Sequence, residues 1–324
     1  MKASVIISTF NNLEDLGLLM PSLERQSLDR HEMEIILRDD GSQDGTCAWI
    51  KTHCPGVQLI SGDNVGFSRS NNIAARRATG EALVFVNADT VLDPCFIAAG
   101  LNVLERNPQV GGVNCNMIMP WIMDLQAFLD GGRPASGYGF FLNRFGFIDY
   151  RDVGLDIRPV LFLSGGGCFV RRIALEVEAP FAEDLLGGTA YCEDLDLSLR
   201  LLARGWRLRF APAAVLYHNQ RAIKAVGLPQ LLKFIRVSVN RVTVYAINLS
   251  LPCFLRFLPA LFRGVLQKVK HLPLPEKIRK RAIAAGALTL PLLILLLPYW
   301  IYRNVRSGAV RASLADLSIL KGVS

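Results

Sequence analysis

The sequence predicts an α/β fold in which a mostly parallel β-sheet lies between helices. Short apolar runs rich in β-branched residues alternate with helical patterns over roughly the first ninety residues. Two of these runs, Met33–Arg38 and Ala82–Val86, are followed directly or almost directly by acidic residues. Acidic side chains at the carboxyl ends of buried strands mark the crevice in which such sheets bind ligands. A ligand site is therefore expected at this edge of the sheet.

The expected elements follow one another in a regular order. Strands are expected where apolar β-branched residues dominate, and helices where apolar residues recur every three or four positions. Asn12 can cap the first helix, and Ile73, Ala74 and Ala78 share one face of the third. In chain order the elements are a strand at Ala3–Thr9, a helix at Leu13–Gln26, a strand at Met33–Arg38, a helix at Thr46–Thr52, a strand at Val57–Ile60, a helix at Phe67–Thr79, a strand at Ala82–Val86 and, later, a helix at Glu193–Arg204.

Two glycine-rich segments lie in the less regular stretch between Val110 and Val170. Gly131–Gly139 could form a lid or an acceptor loop. In Ser164–Gly167 the absent side chains allow the backbone to approach a ligand closely, although an ordinary glycine turn would have the same composition.

Charge divides the chain into two regions. The 324 residues carry a net charge of +8 and have a mean hydropathy of +0.30. Residues 1–223 hold 20 Lys/Arg and 26 Asp/Glu, a net charge of −6, whereas residues 224–324 hold 16 and 2, a net charge of +14. We therefore expect an α/β domain at 1–225 and a basic, apolar helical region at 226–324.

The second region is apolar as well as basic, which favours a membrane surface over nucleic acid or a basic protein-binding surface as its partner. Ala282–Tyr302 is a run of 21 uncharged residues, long enough to cross a bilayer. Pro291 and Pro298 interrupt this run, so a bent or interfacial segment and a packed helix are open alternatives to a span. Basic residues on both flanks give no orientation.

Cysteine usage indicates the compartment. The seven cysteines form no C-x-x-C pair and no zinc-type cluster with histidine, so we expect reduced thiols in the cytosol. The chain enters its first strand at Ala3 without a basic segment and a long apolar run, and a signal peptide is not expected. With the basic, apolar tail, this predicts a location on the cytoplasmic face of the inner membrane. The sequence does not determine the oligomeric state.

Polar residues follow the first, second and fourth strands. An ionised Asp39 or Asp40 can accept the imide N–H of a uracil or thymine ring, although an Asx turn after a strand is common. Ser8, Thr9 and Phe10, at the end of the first strand, could line the same base and ribose pocket. Asp89, with the Asn87 amide oxygen nearby, could ligate Mg²⁺ or Mn²⁺ on a diphosphate, or could belong to an ordinary loop.

Two further candidates lie later in the chain. Asp194, in the first turn of a predicted helix, could act as a general base toward an acceptor hydroxyl. Alternatively, its carboxylate could only stabilise the start of that helix. His218 follows a strand-like run and could bind a metal or a phosphate, or could be an ordinary loop histidine.

Several short motifs occur in order within residues 2–220. They are Val5–Asn12, Asp39–Thr46, Asn64–Phe67, Asn71–Asn72, Asn87–Thr90, Gly165–Arg172 and Glu193–Asp196. The first two strongly resemble family 2 glycosyltransferases of the GT-A fold. The others resemble the bacterial rhamnosyltransferase-like branch of that family.

The resemblance implies a GT-A type nucleotide-diphospho-sugar transferase fold, followed here by a helical, membrane-associated extension. It implies an inverting enzyme that uses a nucleotide-sugar donor, either dTDP-rhamnose or a UDP-sugar, and a divalent cation, Mg²⁺ or Mn²⁺. With the apolar, basic tail, it points to a lipid-linked glycan acceptor in cell-surface polysaccharide biosynthesis. The alternatives are a transferase acting on a protein or soluble acceptor, and a catalytically silent nucleotide-sugar-binding scaffold. A nicotinamide dehydrogenase is disfavoured because no G-x-G-x-x-G follows the first strand.

The family pattern implies that Asp194 is the catalytic base and that Asp89 is the metal carboxylate. His218 is a further candidate metal ligand. The metal motif begins with Asn87 where the family usually has Asp, which is expected to weaken metal affinity rather than abolish activity.

The remaining site residues divide between the two substrates. The acceptor side is expected to include Gly166, Gly167 and Glu193. The nucleotide-sugar side is expected to include Thr9, Phe10, Asp39, Asp40, Asn64, Gly66, Asn71, Asn87 and Ala88.

Overall fold

The computed structural model describes residues 1–175, 179–183, 185, 191–220, 228–270 and 298–299. The strands are β1 (Ala3–Thr9), β2 (Met33–Asp39), β3 (Val57–Ser61), β4 (Ala82–Val86), β5 (Thr90–Leu92), β6 (Val110–Ile118), β7 (Tyr138–Leu142), β8 (Ile148–Asp152), β9 (Arg158–Val160), β10 (Gly167–Arg171) and β11 (Arg207–His218). The α-helices are α1 (Leu13–Glu24), α2 (Thr46–His53), α3 (Phe67–Ala75), α4 (Phe96–Glu105), α5 (Leu125–Leu129), α6 (Glu193–Ala203), α7 (Leu228–Asn248) and α8 (Leu251–Lys270).

The elements predicted before residue 87 are confirmed, with ends that differ by a few residues. Helix α3 is the largest difference, since it ends at Ala75 rather than at Thr79. These elements form because their apolar residues repeat with the period of a strand or of a helix, and the strands β1, β2 and β4 are almost completely buried.

The central sheet is mixed, and the prediction of a mostly parallel sheet was wrong for its second half. Its strand order is β3-β2-β1-β4-β10-β6-β11-β5, with β9 pairing to β11. Strands β1 to β4 run parallel to their neighbours among themselves. Strand β10 lies antiparallel between β4 and β6, because the chain leaves the sheet for the β7–β8 hairpin and returns in the opposite direction.

This strand order brings distant parts of the chain to one edge of the sheet. Thr9 and Asp39 are register partners at the ends of β1 and β2. Strand β10 starts at Gly167 beside Val86, and β11 ends at His218 beside Thr90. The candidate residues after β4, before β10 and at the end of β11 are therefore neighbours.

Helices α7 and α8, which open the predicted second region, pack against α6 and the β7–β8 hairpin. They share one apolar core with these elements, built from buried residues such as Leu142, Phe162, Leu195, Leu199, Val244, Tyr245, Phe254 and Leu261. The Asn248 side-chain amide donates a hydrogen bond to Asp196 Oδ1 (2.8 Å), and Lys268 Nζ lies 2.6 Å from Asp149 Oδ1. Residues 228–270 thus cover the helix that carries Asp194.

No helix within the described residues is both long enough and apolar enough to cross a bilayer. The predicted apolar run Ala282–Tyr302 lies outside the described residues, except for 298–299.

Two helical glycines provide a matched test of this packing. A Cβ at Gly264 of α8 would overlap the buried Phe147 ring, whereas a Cβ at Gly17 of α1 would have no atom within 4 Å. We expect Gly264→Ala to lower the free energy of unfolding by about 1–3 kcal/mol through overpacking. We expect Gly17→Ala to raise it by about 0.5–1 kcal/mol, because alanine favours the helix. Urea denaturation of the full chain measures both changes, and a stabilising Gly264→Ala would contradict this packing of α8.

Candidate active site

A first cavity, of about 320 Å³, opens at the carboxyl ends of β1, β2 and β4. Seven of the nine residues predicted for the nucleotide-sugar side line it, and Asp39 and Asn71 do not. Ser8, at the end of β1, was also expected to line this pocket. Asn12, Phe67 and Ser70 were not predicted, although Asn12 and Phe67 lie within recognised motifs. The lining consists of Ser8, Thr9, Phe10, Asn12, Asp40, Asn64, Gly66, Phe67, Ser70, Asn87, Ala88 and Asp89.

The two adjacent carboxylates at the end of β2, Asp39 and Asp40, have different partners. Asp40 accepts the backbone N–H groups of Val65 (2.8 Å) and Gly66 (2.9 Å), one on each carboxylate oxygen. Asp40 therefore holds the loop that forms one wall of the cavity. Gly66 has φ +85°, a conformation that favours glycine.

Asp39 is 2% exposed and has a free acceptor atom. Its Oδ2 accepts from the Ser42 N–H (3.3 Å) and the Cys47 thiol (3.1 Å), but its Oδ1 has no hydrogen-bond partner. An orphaned buried carboxylate oxygen is costly unless a ligand donor satisfies it. Asn71 instead donates to Ser8 Oγ (2.9 Å) and to the Phe67 carbonyl (3.0 Å), and so supports the cavity wall.

Asp89 and His218 form a pair at the same edge of the sheet. His218 Nε2 lies 3.1 Å from Asp89 Oδ1 and 3.5 Å from the Asn87 side-chain amide. The antiparallel pairing of β11 with β5 creates this proximity between residues far apart in sequence.

A carboxylate oxygen and an imidazole nitrogen are a donor set that suits Mn²⁺ or another divalent cation. Within the described ranges, no group of three or more His, Cys, Asp and Glu side chains converges. The Asp89–His218 pair supplies two donor groups, so a cation held there would need its remaining ligands from elsewhere.

Asp194 lies in the first turn of α6, with its carboxylate held by backbone donors. Its Oδ2 accepts from the Gly165 N–H (3.3 Å) and its Oδ1 from the Leu195 N–H (2.8 Å). The preceding residues Tyr191 and Cys192 have φ +113° and +77°, an uncommon backbone conformation for residues other than glycine. This backbone geometry sets the direction in which the helix starts.

Burial changes the protonation of the two neighbouring carboxyl groups. Desolvation raises the pKa of Asp194 to about 6, against the lowering effect of its backbone hydrogen bonds and of the Arg241 charge. Desolvation and the Asp194 charge raise the pKa of Glu193 to about 8. The pKa of Asp194 stays below that of Glu193, so Asp194 is the first of the two to ionise as the pH rises and is the better placed to accept a proton.

A second cavity, of about 420 Å³, lies between Asp194 and the Asp89–His218 pair. Asp194, Asp89 and His218 all line it. Of the predicted acceptor-side residues, Gly166 and Glu193 line this cavity, while Gly167 lies in β10 and is packed against Leu216. The cavity also has an apolar wall, formed by Phe67, Phe140, Ile148, Phe162 and Val237.

The model of glycosyl transferase family 2 matches residues 4–175. The chain belongs to this family. It is a glycosyltransferase, as the sequence resemblance implied.

Two relatives match parts of this glycosyltransferase. YfnE of Bacillus subtilis, an uncharacterized glycosyltransferase, is 34% identical over 109 residues, which are 33% of this chain and 28% of YfnE. The N-acetylglucosaminyl-diphospho-decaprenol L-rhamnosyltransferase of Mycobacterium tuberculosis is 27% identical over 208 residues, which are 58% of this chain and 67% of that enzyme.

Solved structures share the fold. GalNAc-T7 with UDP, GalNAc and Mn²⁺ aligns with a TM-score of 0.61 and 14% identity over 84% of this chain and 51% of its own. The mannosyltransferase PcManGT from Pyrobaculum calidifontis, in complex with GDP-Man and Mn²⁺, aligns with a TM-score of 0.56 and 19% identity over 100% of this chain and 88% of its own. At these identities the likeness concerns the fold, and it confirms the GT-A-like α/β architecture predicted from the sequence.

The Asp89–His218 pair leads to a prediction for metal-linked nucleotide binding. Mn²⁺ should tighten the binding of UDP or dTDP by about tenfold or more, because a cation held by the pair would also contact the diphosphate. Asp89→Ala should remove this effect, and the exposed Asp156→Ala should retain it. Calorimetric titration of each nucleotide with and without Mn²⁺ measures the change, and an unaltered Mn²⁺ effect in Asp89→Ala would exclude Asp89 as a ligand.

Proposed function

We propose that this family member is an inverting transferase that moves a sugar from dTDP-rhamnose or a UDP-sugar to a hydroxyl of a lipid-linked glycan. Its product would enter cell-surface polysaccharide biosynthesis. One observation carries the proposal: Asp194, a buried carboxylate held by two backbone N–H groups, lines the same cavity as Asp89 and His218. The relative from M. tuberculosis, named for rhamnosyl transfer to a diphospho-decaprenol-linked sugar, supports the choice of donor and acceptor.

The donor would occupy the first cavity. The unpartnered Oδ1 of Asp39 can accept the imide N–H of a uracil or thymine base, and the Asp40-held loop at Asn64–Gly66 would border the nucleotide. Asp89 and His218 would hold Mg²⁺ or Mn²⁺. Such a cation neutralises charge on the departing nucleoside diphosphate.

Asp194 would act on the acceptor. As the acceptor oxygen forms its bond to the anomeric carbon, its proton passes to the Asp194 carboxylate, and the bond from that carbon to the diphosphate oxygen breaks. Attack on the face opposite the leaving group inverts the anomeric configuration. The N–H groups of Gly165 and Leu195 orient the carboxylate, and the apolar wall limits the access of water.

The location at the cytoplasmic face of the membrane is part of the same proposal. A lipid-linked acceptor requires the enzyme to work at a membrane surface, and the +14 charge of residues 224–324 suits anionic headgroups. The uncharged run Ala282–Tyr302 could add apolar burial in the bilayer.

Removal of the proposed base tests the reaction. Asp194→Asn keeps the size of the side chain but cannot take a proton, so we expect about a 10²- to 10⁴-fold loss of transfer rate. Binding of UDP or dTDP should stay near that of the unmodified chain. In the unmodified chain the rate should fall as the pH drops below about 6, because Asp194 then becomes protonated.

The transfer assay needs a known donor. A screen of nucleotide sugars for hydrolysis by the unmodified chain identifies it. The exposed Asp156→Asn is the matched control and should leave the rate unchanged. A rate for Asp194→Asn within about threefold of the unmodified chain would be too small a loss for a general base and would exclude that role.

Membrane attachment leads to a separate prediction. We expect the full chain to sediment with membranes and to be released by detergent but only slightly by high salt, because apolar burial does not depend on ionic strength. A chain that ends at Lys270 keeps α7 and α8 and should be released by salt alone. Fractionation followed by immunoblotting measures both, and a full chain found in the soluble fraction would contradict the proposed location.

A further inference from the structure

A buried arginine lies in the wall of the cavity that contains the proposed base. Arg241 of α7 is 8% exposed, lines the same cavity as Asp194, and has an Nε with no hydrogen-bond partner. Its guanidinium carbon lies 4.0 Å from the centroid of the Phe147 ring, which supports one side of the group. A buried cation with an unused donor is costly to maintain unless an anion meets it.

The nearby carboxylates do not fill this role. Asp194 already accepts two backbone N–H groups, and Glu193 accepts the Tyr191 N–H. Arg241 acts on Asp194 through its charge, and none of the ion pairs found among the described residues joins the two side chains. The guanidinium therefore has donors left for a ligand.

Further cations lie on the same face of α7. Lys233 Nζ is 4.5 Å and the Arg236 guanidinium carbon 5.7 Å from the centroid of the Tyr191 ring, and Tyr191 also lines the cavity. Residues 233, 236, 237 and 241 recur at the spacing of one helix face, and Val237 lines the cavity between the basic positions. Positive charge thus extends along α7 beside the apolar wall of the acceptor side.

We propose that Arg241 binds a phosphate ester attached to the acceptor glycan, with Lys233 and Arg236 adding positive charge along its path. This inference rests on the proposed function, since it specifies the acceptor of the same cavity. A planar guanidinium can donate two parallel hydrogen bonds to phosphate oxygens, which suits it to this role. The phosphate could belong to a lipid carrier or to a soluble phosphoglycan.

Binding of three probes tests the site. The probes are N-acetylglucosaminyl-diphospho-farnesol, the soluble N-acetylglucosamine 1-phosphate, and farnesyl N-acetylglucosaminide, which has no phosphate. We expect the full chain to bind the first about tenfold or more tightly than the third. Arg241→Gln should weaken binding of the diphosphate probe by about 10- to 100-fold and leave the neutral probe unchanged. Arg241→Lys should keep part of the affinity.

The exposed Arg256→Gln of α8 is the matched control and should bind all three probes like the unmodified chain. Thermal unfolding and UDP binding verify that each variant is folded. A full chain that does not distinguish the charged from the neutral farnesyl probe overturns the proposal. So does an Arg241→Gln variant that shifts the pH profile of transfer to the neutral acceptor while its affinity for the diphosphate probe is unchanged, because Arg241 would then only tune Asp194.

The probes also show whether the phosphate belongs to a lipid carrier or to a soluble glycan. They separate a failure of the phosphate site from a failure of the proposed reaction. Equal affinity for the diphosphate lipid and the soluble phosphate assigns recognition to a phosphoglycan, whereas preference for the former assigns it to a lipid-linked acceptor. If Arg241→Gln weakens binding of the charged probes only, and the unmodified chain transfers sugar to none of the probes, the phosphate site stands and the proposed reaction fails. If sugar is transferred equally well to charged and neutral acceptors, the proposed reaction stands and the phosphate site fails.

Discussion

The turn at Ser164–Gly167 joins the two halves of the active site, and the geometry of the rest depends on it. The Gly166 carbonyl accepts the Asn87 N–H (3.2 Å) on the side of the first cavity, and the Gly165 N–H reaches Asp194 on the other. A Cβ at Gly166 would approach Met117 Cε at 3.2 Å and the Asn87 side chain at 3.4 Å. A side chain at Gly166 would therefore require Met117 or Asn87 to move by a few tenths of an ångström. The turn thus sets the distance between the proposed base and the proposed leaving group.

The site contains charged groups that a protein interior normally excludes. Asp194 and Glu193 have raised pKa values because they are desolvated, Asp39 Oδ1 and Arg241 Nε lack partners, and Tyr191 and Cys192 have left-handed backbone conformations. Each of these features costs stability in the absence of substrate. Their concentration around two adjoining cavities is typical of an active site, where unsatisfied groups are matched by the ligand rather than by the protein.

Helices α7 and α8 connect this chemistry to the basic region. They lie beyond the segment matched by the family model, yet α7 shares a core with α6 and contributes Arg241 and Val237 to the cavity. In the proposed function, the first half of the chain would bind the donor and α7 would contribute to the choice of acceptor. The basic and apolar residues farther on would then keep the enzyme at the surface where a lipid-linked acceptor is found.

The sequence by itself determined β1 to β4, the helices between them, and the candidates Asp40, Asp89 and Asp194. The elements, Asp40 and Asp89 follow from local signals, since a strand or helix period and a carboxylate after a strand can be recognised within about ten residues. Asp194 was marked instead by the resemblance of Glu193–Asp196 to a family motif. Tertiary structure alone decided that β10 runs antiparallel between β4 and β6, that His218 meets Asp89, and that Asp40 rather than Asp39 holds the neighbouring loop. It also decided that Arg241, which no local pattern marks, faces the proposed base. Such relations depend on strand order and on helix packing between residues far apart in the chain, and no short window of sequence encodes them.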